Sequence, residues 1–192
     1  MPLNERLENP RYELINGEER MMTQPATNHS RIAYNLSRII GSYLRGKHCK
    51  PFGEVDVYFD ADNHLIPDMI IVCDKKKIKY NGIYGAPDLV IEILSPSTAK
   101  FDKYEKKAIY EKFGVREYWL VNPKDKSVDV FHLINGKFEL DDVYHDYNQV
   151  EWDMLDEKEK ATQKLKLKVS LYDDLEIDVA EIFEDMIETW EW

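Results

Sequence analysis

The chain has 192 residues, of which 43% are hydrophobic and 33% are charged, a composition that predicts a globular protein with a real core. No apolar run approaches the roughly 20 residues of a membrane-spanning helix. The first residues also lack the basic-then-apolar order of a signal peptide. Both features favour a cytoplasmic protein without a membrane partner. The net charge of −11 disfavours nonspecific affinity for nucleic acid.

The charges and the cysteines add two further expectations. Lysines cluster at 75–79 and at 100–112, whereas acidic residues collect in the last third of the chain. Such clusters are either solvated faces or surfaces that meet phosphates, and the sequence leaves both interpretations open. Neither Cys49 nor Cys73 belongs to a zinc-spaced pair. Cys73 ends an apolar run, which predicts a buried, reduced thiol.

The N-terminal part reads as a hairpin followed by a helix. Residues 12–22 alternate weakly around an Asn-Gly pair, which predicts two short strands. Over 27–44, apolar residues such as Ile32 and Leu36 recur at helical spacing behind a polar cap. His29 lies in the first turn of this helix, in phase with its apolar face, so we expect its side chain to point inward.

Three strands and one loop are predicted next. Residues 53–60 alternate in polarity, which is typical of a strand with one polar face. Residues 63–73 become fully apolar after a Pro-Asp pair, as a central strand does. We predict a loop over 74–85 and a second central strand over 86–94.

The rest of the chain completes the predicted elements. A helix begins near Asp102 and ends before Gly114. A buried strand over 116–123 follows it, and then a hairpin with an Asn-Gly turn over 127–140. The chain ends with an edge strand and a closing helix, at 165–172 and 178–188. We expect one α/β domain in the order helix, three strands, helix, strand, followed by additions.

Glu92 is the residue that points to chemistry. It lies in the middle of the apolar strand LVIEIL, where an unpaired carboxylate would cost several kcal/mol. Asp68 begins the preceding central strand, and neighbouring strands could bring the two carboxylates together. Such a pair suits Mg²⁺ or Mn²⁺. Lys106 shares its helical stripe with Ile109 and Tyr110, so its amine should point toward the sheet and could reach the carboxylates.

Each of these residues also has an interpretation without function. Glu92 and Lys106 could form a structural salt bridge, or Lys106 could extend past the stripe into solvent. His29 could be a buried histidine whose hydrogen bonds are satisfied. The spacing alone does not decide between these alternatives.

The segment PDLVIEILSPSTAKFDKYEKKAIYEKFGVREYWLVNP, at 87–123, resembles the signature of the Uma-type restriction-endonuclease-like proteins, within the PD-(D/E)xK nuclease superfamily. YELINGEERMM, IPDMIIV and DVAEIF resemble other parts of that family. The resemblance runs from about residue 12 to about residue 185. It implies a restriction-endonuclease-like α/β (α+β) fold, in which a mixed central sheet is flanked by helices. We expect one domain over 1–192, with a core over about 27–123 and an extension, a hairpin and a short helix, over about 124–192.

The resemblance also implies site residues. Asp68 matches the first acidic position of the family motif and Glu92 the second, which makes them the metal ligands. Leu94 stands where the motif usually has its lysine, and Lys106 matches a lysine that the family carries on the following helix. His29 lies at a position that the family usually fills with histidine.

The function implied is that of a DNA endonuclease that depends on Mg²⁺ or Mn²⁺ and works as a homodimer. Asp68, Glu92, Lys106 and His29 would be its catalytic residues. A second group of residues would contact DNA phosphates, namely Lys75, Lys76, Lys77, Lys79, Lys103 and Lys107. The alternative is a catalytically inactive protein of nuclease fold that binds nucleic acid or a protein partner.

Overall fold

A computed structural model describes residues 11–96 and 99–187. Its middle layer is a six-stranded mixed sheet, which we call the central sheet. In spatial order the strands are β12 (Lys137–His145), β11 (Ser127–Ile134), β10 (Glu117–Asn122), β9 (Leu89–Ile93), β6 (Met69–Val72) and β3 (Lys50–Gly53). Strands β9 and β10 run parallel, and the other neighbours are antiparallel.

A second six-stranded sheet covers one face of the central sheet. Its strands in spatial order are β2 (Glu18–Met21), β1 (Tyr12–Ile15), β5 (His64–Leu65), β4 (Val57–Tyr58), β8 (Gly82–Tyr84) and β7 (Ile78–Lys79). The predicted loop over 74–85 is wrong, because it contains β7, β8 and a 3₁₀ turn (Lys75–Lys77). The predicted strand over 53–60 is also wrong in its extent. Glu54 has a φ of +44°, which ends β3 and separates it from β4.

The predicted helices are present, and two short helices that were not predicted lie at 149–154 and 157–162. The helices are α1 (Thr27–Tyr43), a π-helical segment (Phe101–Lys106) that continues into α2 (Lys107–Phe113), α3 (Gln149–Met154), α4 (Glu157–Thr162) and α5 (Val179–Ile182). Strands β13 (Lys166–Lys168) and β14 (Glu176–Asp178) form a separate small sheet. The closing helix predicted over 178–188 is shorter than expected, and its last position lies outside the described residues. Within 11–96 and 99–187, none of the helices combines the length and the hydrophobicity of a membrane span.

Both faces of the central sheet are covered, and the face to which a side chain points determines which core it enters. Alternate side chains of β9 enter two different cores. Ile91 packs toward α1 and the C-terminal segments. Val90 packs toward the second sheet and α2. Glu92 has the same parity as Val90, so its carboxylate lies between the central sheet, the second sheet and α2.

The cysteines correct one prediction. Cys49 and Cys73 form a disulfide, so the expected reduced thiol at Cys73 is wrong. The bond joins the residue before β3 to the residue after β6, two strands that are antiparallel neighbours. Cys73 is also half-buried and not buried as predicted, and the apolar run before it did not indicate its partner. Because disulfides are commonest in oxidising compartments, the cytoplasmic location stays a prediction.

Buried polar groups attach the C-terminal segments to the central layers. Glu117, on β10, is fully buried and accepts hydrogen bonds from the indole N–H of Trp119 and from the backbone and hydroxyl of Ser170. The amide of Asn35, on α1, donates to the Ile182 carbonyl at 3.1 Å. The extension therefore packs on the same layers as the core, while the boundary between them stays a prediction.

Candidate active site

Glu92 faces a buried polar cluster. Only 2% of the residue is exposed, and its Oε1 accepts hydrogen bonds from the Tyr110 hydroxyl at 2.6 Å and from Lys106 Nζ at 3.3 Å. Tyr110 lies on α2, one turn beyond Lys106. The helix therefore supplies both partners that keep this carboxylate satisfied inside the protein.

Lys106 lies at the centre of the cluster. Its Nζ is 2.8 Å from Glu13 Oε1, 3.3 Å from Glu92 Oε1 and 3.5 Å from Asp102 Oδ1. The side chain is only 7% exposed, so it does not extend into solvent. The inward direction predicted from the helical stripe is therefore confirmed.

The shape of the helix assists this arrangement. Asp102 and Lys106 are at opposite ends of the wider π-helical turn, and both are buried. Arg20, on β2, holds the outer side of that turn, with its guanidinium 3.9 Å from the centre of the Phe101 ring and 3.1 Å from Glu105 Oε2. π-Helical turns are rare, and they occur frequently at functional sites.

Asp68 lies beside the C-terminal end of β9, the end that carries Glu92. Met69 pairs with Ile91, so the register places Asp68 opposite Glu92. One Asp68 oxygen accepts from the backbone N–H of Ile93 at 2.6 Å, and the other is 3.1 Å from His29 Nε2. His29 thus points inward as predicted, and the structure brings it next to Asp68.

Burial and charge shift the pKa values in this cluster. Burial raises the pKa of Glu92 well above its ordinary value; Lys106 opposes this shift, while neighbouring carboxylates including Asp68 add to it. Burial alone would lower the pKa of Lys106, but the surrounding carboxylates raise it. Burial also disfavours a charged His29, yet the contact with Asp68 raises its pKa. Lys106 is therefore protonated, and its single positive charge faces three carboxylates.

A sequence profile of the Uma2 family, described as a putative restriction endonuclease, matches residues 2–161. The chain belongs to the Uma2 family. Among solved structures it is similar to a putative nuclease belonging to DUF820 from Anabaena variabilis. That match has a TM-score of 0.69 and 22% identity, and it covers 95% of this chain and 93% of the other. The protein therefore has the restriction-endonuclease-like fold predicted from the resemblance.

Two relatives from Synechocystis are uncharacterized proteins. The protein slr1290 is 29% identical over 126 residues, which span 64% of this chain and 66%, slightly less than two thirds, of the relative. The protein sll1609 is 26% identical over 130 residues, spanning 65% of this chain and 73% of the relative. Neither name states an activity, so these Uma2 relatives support the family and not a particular reaction.

The lysines predicted to contact DNA fall into two groups. Lys75, Lys76 and Lys79 are exposed beyond the end of β6, while the Lys77 amine donates to the Ala86 carbonyl at 2.8 Å. Lys107 lies by β11, three strands away in the sheet order, with its amine 3.4 Å from the centre of the Phe131 ring. Burial raises the pKa of Asp129, which is also on β11, and the positive charge of Lys103 opposes that shift. The structure does not bring the two groups together.

Sequence reasoning missed Glu13, the carboxylate closest to Lys106. Glu13 is 7% exposed and also accepts from the backbone N–H of Ile66 at 2.9 Å. A signal was present in the alternation of β1, because Glu13 and Ile15 have the same parity and Ile15 is a core residue. The weak alternation of this hairpin hid the inward direction of Glu13. Asp102 was recognised only as a helix start, and Tyr110 only as an apolar position.

Proposed function

We propose that this Uma2 protein is a DNA endonuclease that depends on Mg²⁺ or Mn²⁺ and hydrolyses phosphodiester bonds. The observation that carries the proposal is the register that sets Asp68 opposite Glu92, with the Lys106 amine on Glu92. A homodimer would offer one such site to each strand of a duplex.

The donor set fits such an ion. Mg²⁺ is commonly held by one or two carboxylates together with water and substrate phosphates. Asp68 and Glu92 supply two carboxylates, and no group of three or more His, Cys, Asp or Glu side chains among the described residues is arranged to hold a metal. When bound, the ion would polarise a phosphoryl oxygen and lower the pKa of a bound water.

The chain's own residues have separable roles in this proposal. His29 orients Asp68 through the 3.1 Å contact, and the Ile93 N–H fixes the other oxygen. Lys106 remains protonated among its acids and would stabilise negative charge that develops on the phosphoryl group. Glu13 holds the Lys106 amine in place.

Nicking of supercoiled plasmid with Mn²⁺ or Mg²⁺ tests the proposal. The wild type should nick, and EDTA should abolish nicking. Because loss of an outer-sphere partner of a metal already costs 10–100-fold, Asp68→Ala and Glu92→Gln should each lose at least about 100-fold. Glu139→Gln, which changes an exposed glutamate on β12, should nick like the wild type. Equal nicking by Asp68→Ala and the wild type would exclude this site.

The inactive alternative has one observation in its favour. Leu94 occupies the usual position of the motif lysine, and Lys106 already has three carboxylates around it. Thermal melts with Mn²⁺ separate metal binding from activity. At ten times its dissociation constant the ion should stabilise the wild type by about 1.4 kcal/mol. That gain raises the melting temperature by roughly 3–6 °C, and Glu92→Gln should gain much less. A wild type that neither shifts nor nicks would favour the alternative.

A further inference from the structure

A row of stacked rings lies on the face of the second sheet that points away from the central sheet. Val57, on β4, is buried toward the core, so its neighbour Tyr58 points outward. Tyr58 is paired with His64 on β5 and with Tyr84 on β8. The ring centres of Tyr58 and His64 are 4.4 Å apart, and those of Tyr58 and Tyr84 are 4.8 Å apart, both stacked. We call these three residues the aromatic row.

The row is fixed and reaches the surface. Tyr84 is 43% exposed, and Asn81 donates to its hydroxyl at 3.0 Å. Tyr80, at the β7–β8 turn beside the row, is fully exposed. Gly82 lets the turn approach closely, because a Cβ there would lie 2.9 Å from Tyr58 Cε2. Rings that are already held in place bind a flat ligand at a low cost in entropy.

Exposed positive charge lies on the same part of the second sheet as the aromatic row. Two carboxylates of this region have partners within the fold, since Glu54 is 2.6 Å from Arg11 and Asp56 is 2.7 Å from the His64 ring. Three exposed lysines stand on the same strand–turn unit, and they are Lys75, Lys76 and Lys79. The surface therefore combines flat rings with exposed lysines in a protein whose net charge is −11.

We infer that the aromatic row and Tyr80 bind unpaired bases of single-stranded DNA. Nucleic acid is the polymer that carries both a repeated negative charge and flat aromatic rings, which matches the lysines and the row. A duplex hides the faces of its bases in its own stack, so only an unpaired segment can stack on protein rings. A peptide or a lipid headgroup would use the lysines without needing a stacked row.

Glu54 lies between the β7–β8 turn and the strand end that carries Asp68. A groove of about 490 Å³ runs between the β7–β8 turn and the segment after β3, and its lining includes Lys79, Tyr80 and Glu54. The backbone N–H of Glu54 donates to the Asp68 carbonyl at 3.3 Å. Resting on the proposed function, this inference names the substrate class: DNA with an unpaired stretch next to the bond that is cut.

Fluorescence anisotropy with labelled oligonucleotides tests the inference in EDTA, where no cleavage can occur. The wild type should bind a 12-nucleotide oligothymidine more tightly than a blunt 12-base-pair duplex. Tyr84→Leu and Tyr80→Leu should each weaken binding to the single strand by about tenfold, within the range known for loss of a base–ring stack. Tyr84→Phe keeps the ring and should bind within about twofold of the wild type.

Tyr34→Leu is the matched control, because Tyr34 is an exposed tyrosine on α1, away from the row. It should bind like the wild type. Tyr80 is fully exposed, so its replacement reports on binding even if Tyr84→Leu unfolds. The inference is overturned if the wild type does not prefer the single strand, or if Tyr80→Leu binds no more weakly than Tyr34→Leu.

The proposed function can fail separately. Asp68→Ala should bind the oligothymidine like the wild type while losing plasmid nicking. If Asp68→Ala still nicks, the catalytic site is wrong and the base-binding row stands. If Asp68→Ala loses nicking but Tyr80→Leu binds the single strand like the wild type, the endonuclease stands and the inference of base binding is overturned.

Discussion

Lys106 is the residue on which the buried cluster depends. It is the only lysine or arginine whose ion pairs with Glu13, Glu92 and Asp102 are seen among the described residues. A buried pair adds little net stability, but removing one partner leaves uncompensated charge. The cluster therefore adds little net stability as long as it is intact, but it is costly to break.

Lys106→Met should therefore destabilise the protein by about 3–5 kcal/mol at neutral pH, because it leaves buried acids without a cation. Urea unfolding measures the effect. Adding Glu13→Gln to Lys106→Met should restore part of the loss, as expected for residues in direct contact. Lys112→Met, on the same helix but 62% exposed, should change stability by less than about 0.5 kcal/mol. A Lys106→Met protein as stable as the wild type would mean that the amine is not held by these acids.

Gly82 is a second residue that the fold requires. Its φ is +144°, and a Cβ there would lie 2.6 Å from the Asp56 carbonyl oxygen. Gly82→Ala should cost about 2–4 kcal/mol, from backbone strain and this clash. Gly41→Ala, in α1, meets nothing within 4 Å and should stabilise by about 0.5–1 kcal/mol. Thermal melts of the two variants should move in opposite directions; a Gly82→Ala shift equal to that of Gly41→Ala would contradict this packing.

At the scale of elements, the sequence predicted those helices and strands whose pattern lies within one segment of the chain. Helix α1, strands β9 and β10 and the hairpin with its Asn-Gly turn were all predicted, because periodicity and turn residues are written in each segment. The second sheet was not predicted as a sheet. Strands β4 and β5 have two residues each, and their other partners, β8 and β1, lie far from them in the sequence. Such short strands leave almost no period to read.

The candidate site also contains residues that the sequence predicted and one contact that it did not. Phase along β9 and the helices predicted the directions of Glu92, Lys106 and His29, and the order of the strands suggested that Asp68 lies near Glu92. The family resemblance added their positions in the motif. Glu13 was missed because its contact with Lys106 exists only after β1 has packed over the central sheet. The catalytic and metal-binding roles remain predictions for all four site residues, namely Asp68, Glu92, Lys106 and His29.

The bond between β3 and β6 gives an element-scale prediction. Cys49 and Cys73 are 24 residues apart, and closing a loop of that length is worth about 3–4 kcal/mol in the chain-entropy estimate. Reductant should therefore lower the melting temperature by roughly 6–15 °C. The Cys49→Ala/Cys73→Ala double variant should melt alike with and without reductant. A thiol reagent should find no free thiol in the unreduced, denatured protein, and two reactive thiols there would mean that the disulfide is absent.

At the scale of the whole molecule, charge is separated along the chain. The last third is acidic, whereas exposed lysines gather around the 3₁₀ turn and β7. A protein with a net charge of −11 repels DNA at long range, so binding must depend on local contacts. Salt dependence distinguishes local contacts from net charge, because each phosphate neutralised by a lysine releases bound counterions.

Replacing Lys75, Lys76 and Lys79 together by Gln should flatten the salt dependence of duplex binding. Each lost phosphate contact reduces the slope of log K against log salt by about 0.9, so three contacts reduce it by about 2.7. The matched control replaces three exposed lysines of the C-terminal part, Lys158, Lys166 and Lys168, by Gln. Both triple variants lower the net charge equally, from −11 to −14 because three positive charges are lost. Anisotropy titrations from low to moderate salt should show the flatter slope in the first variant alone. Equal slopes in both variants would show that overall charge, and not this lysine group, governs the encounter with DNA.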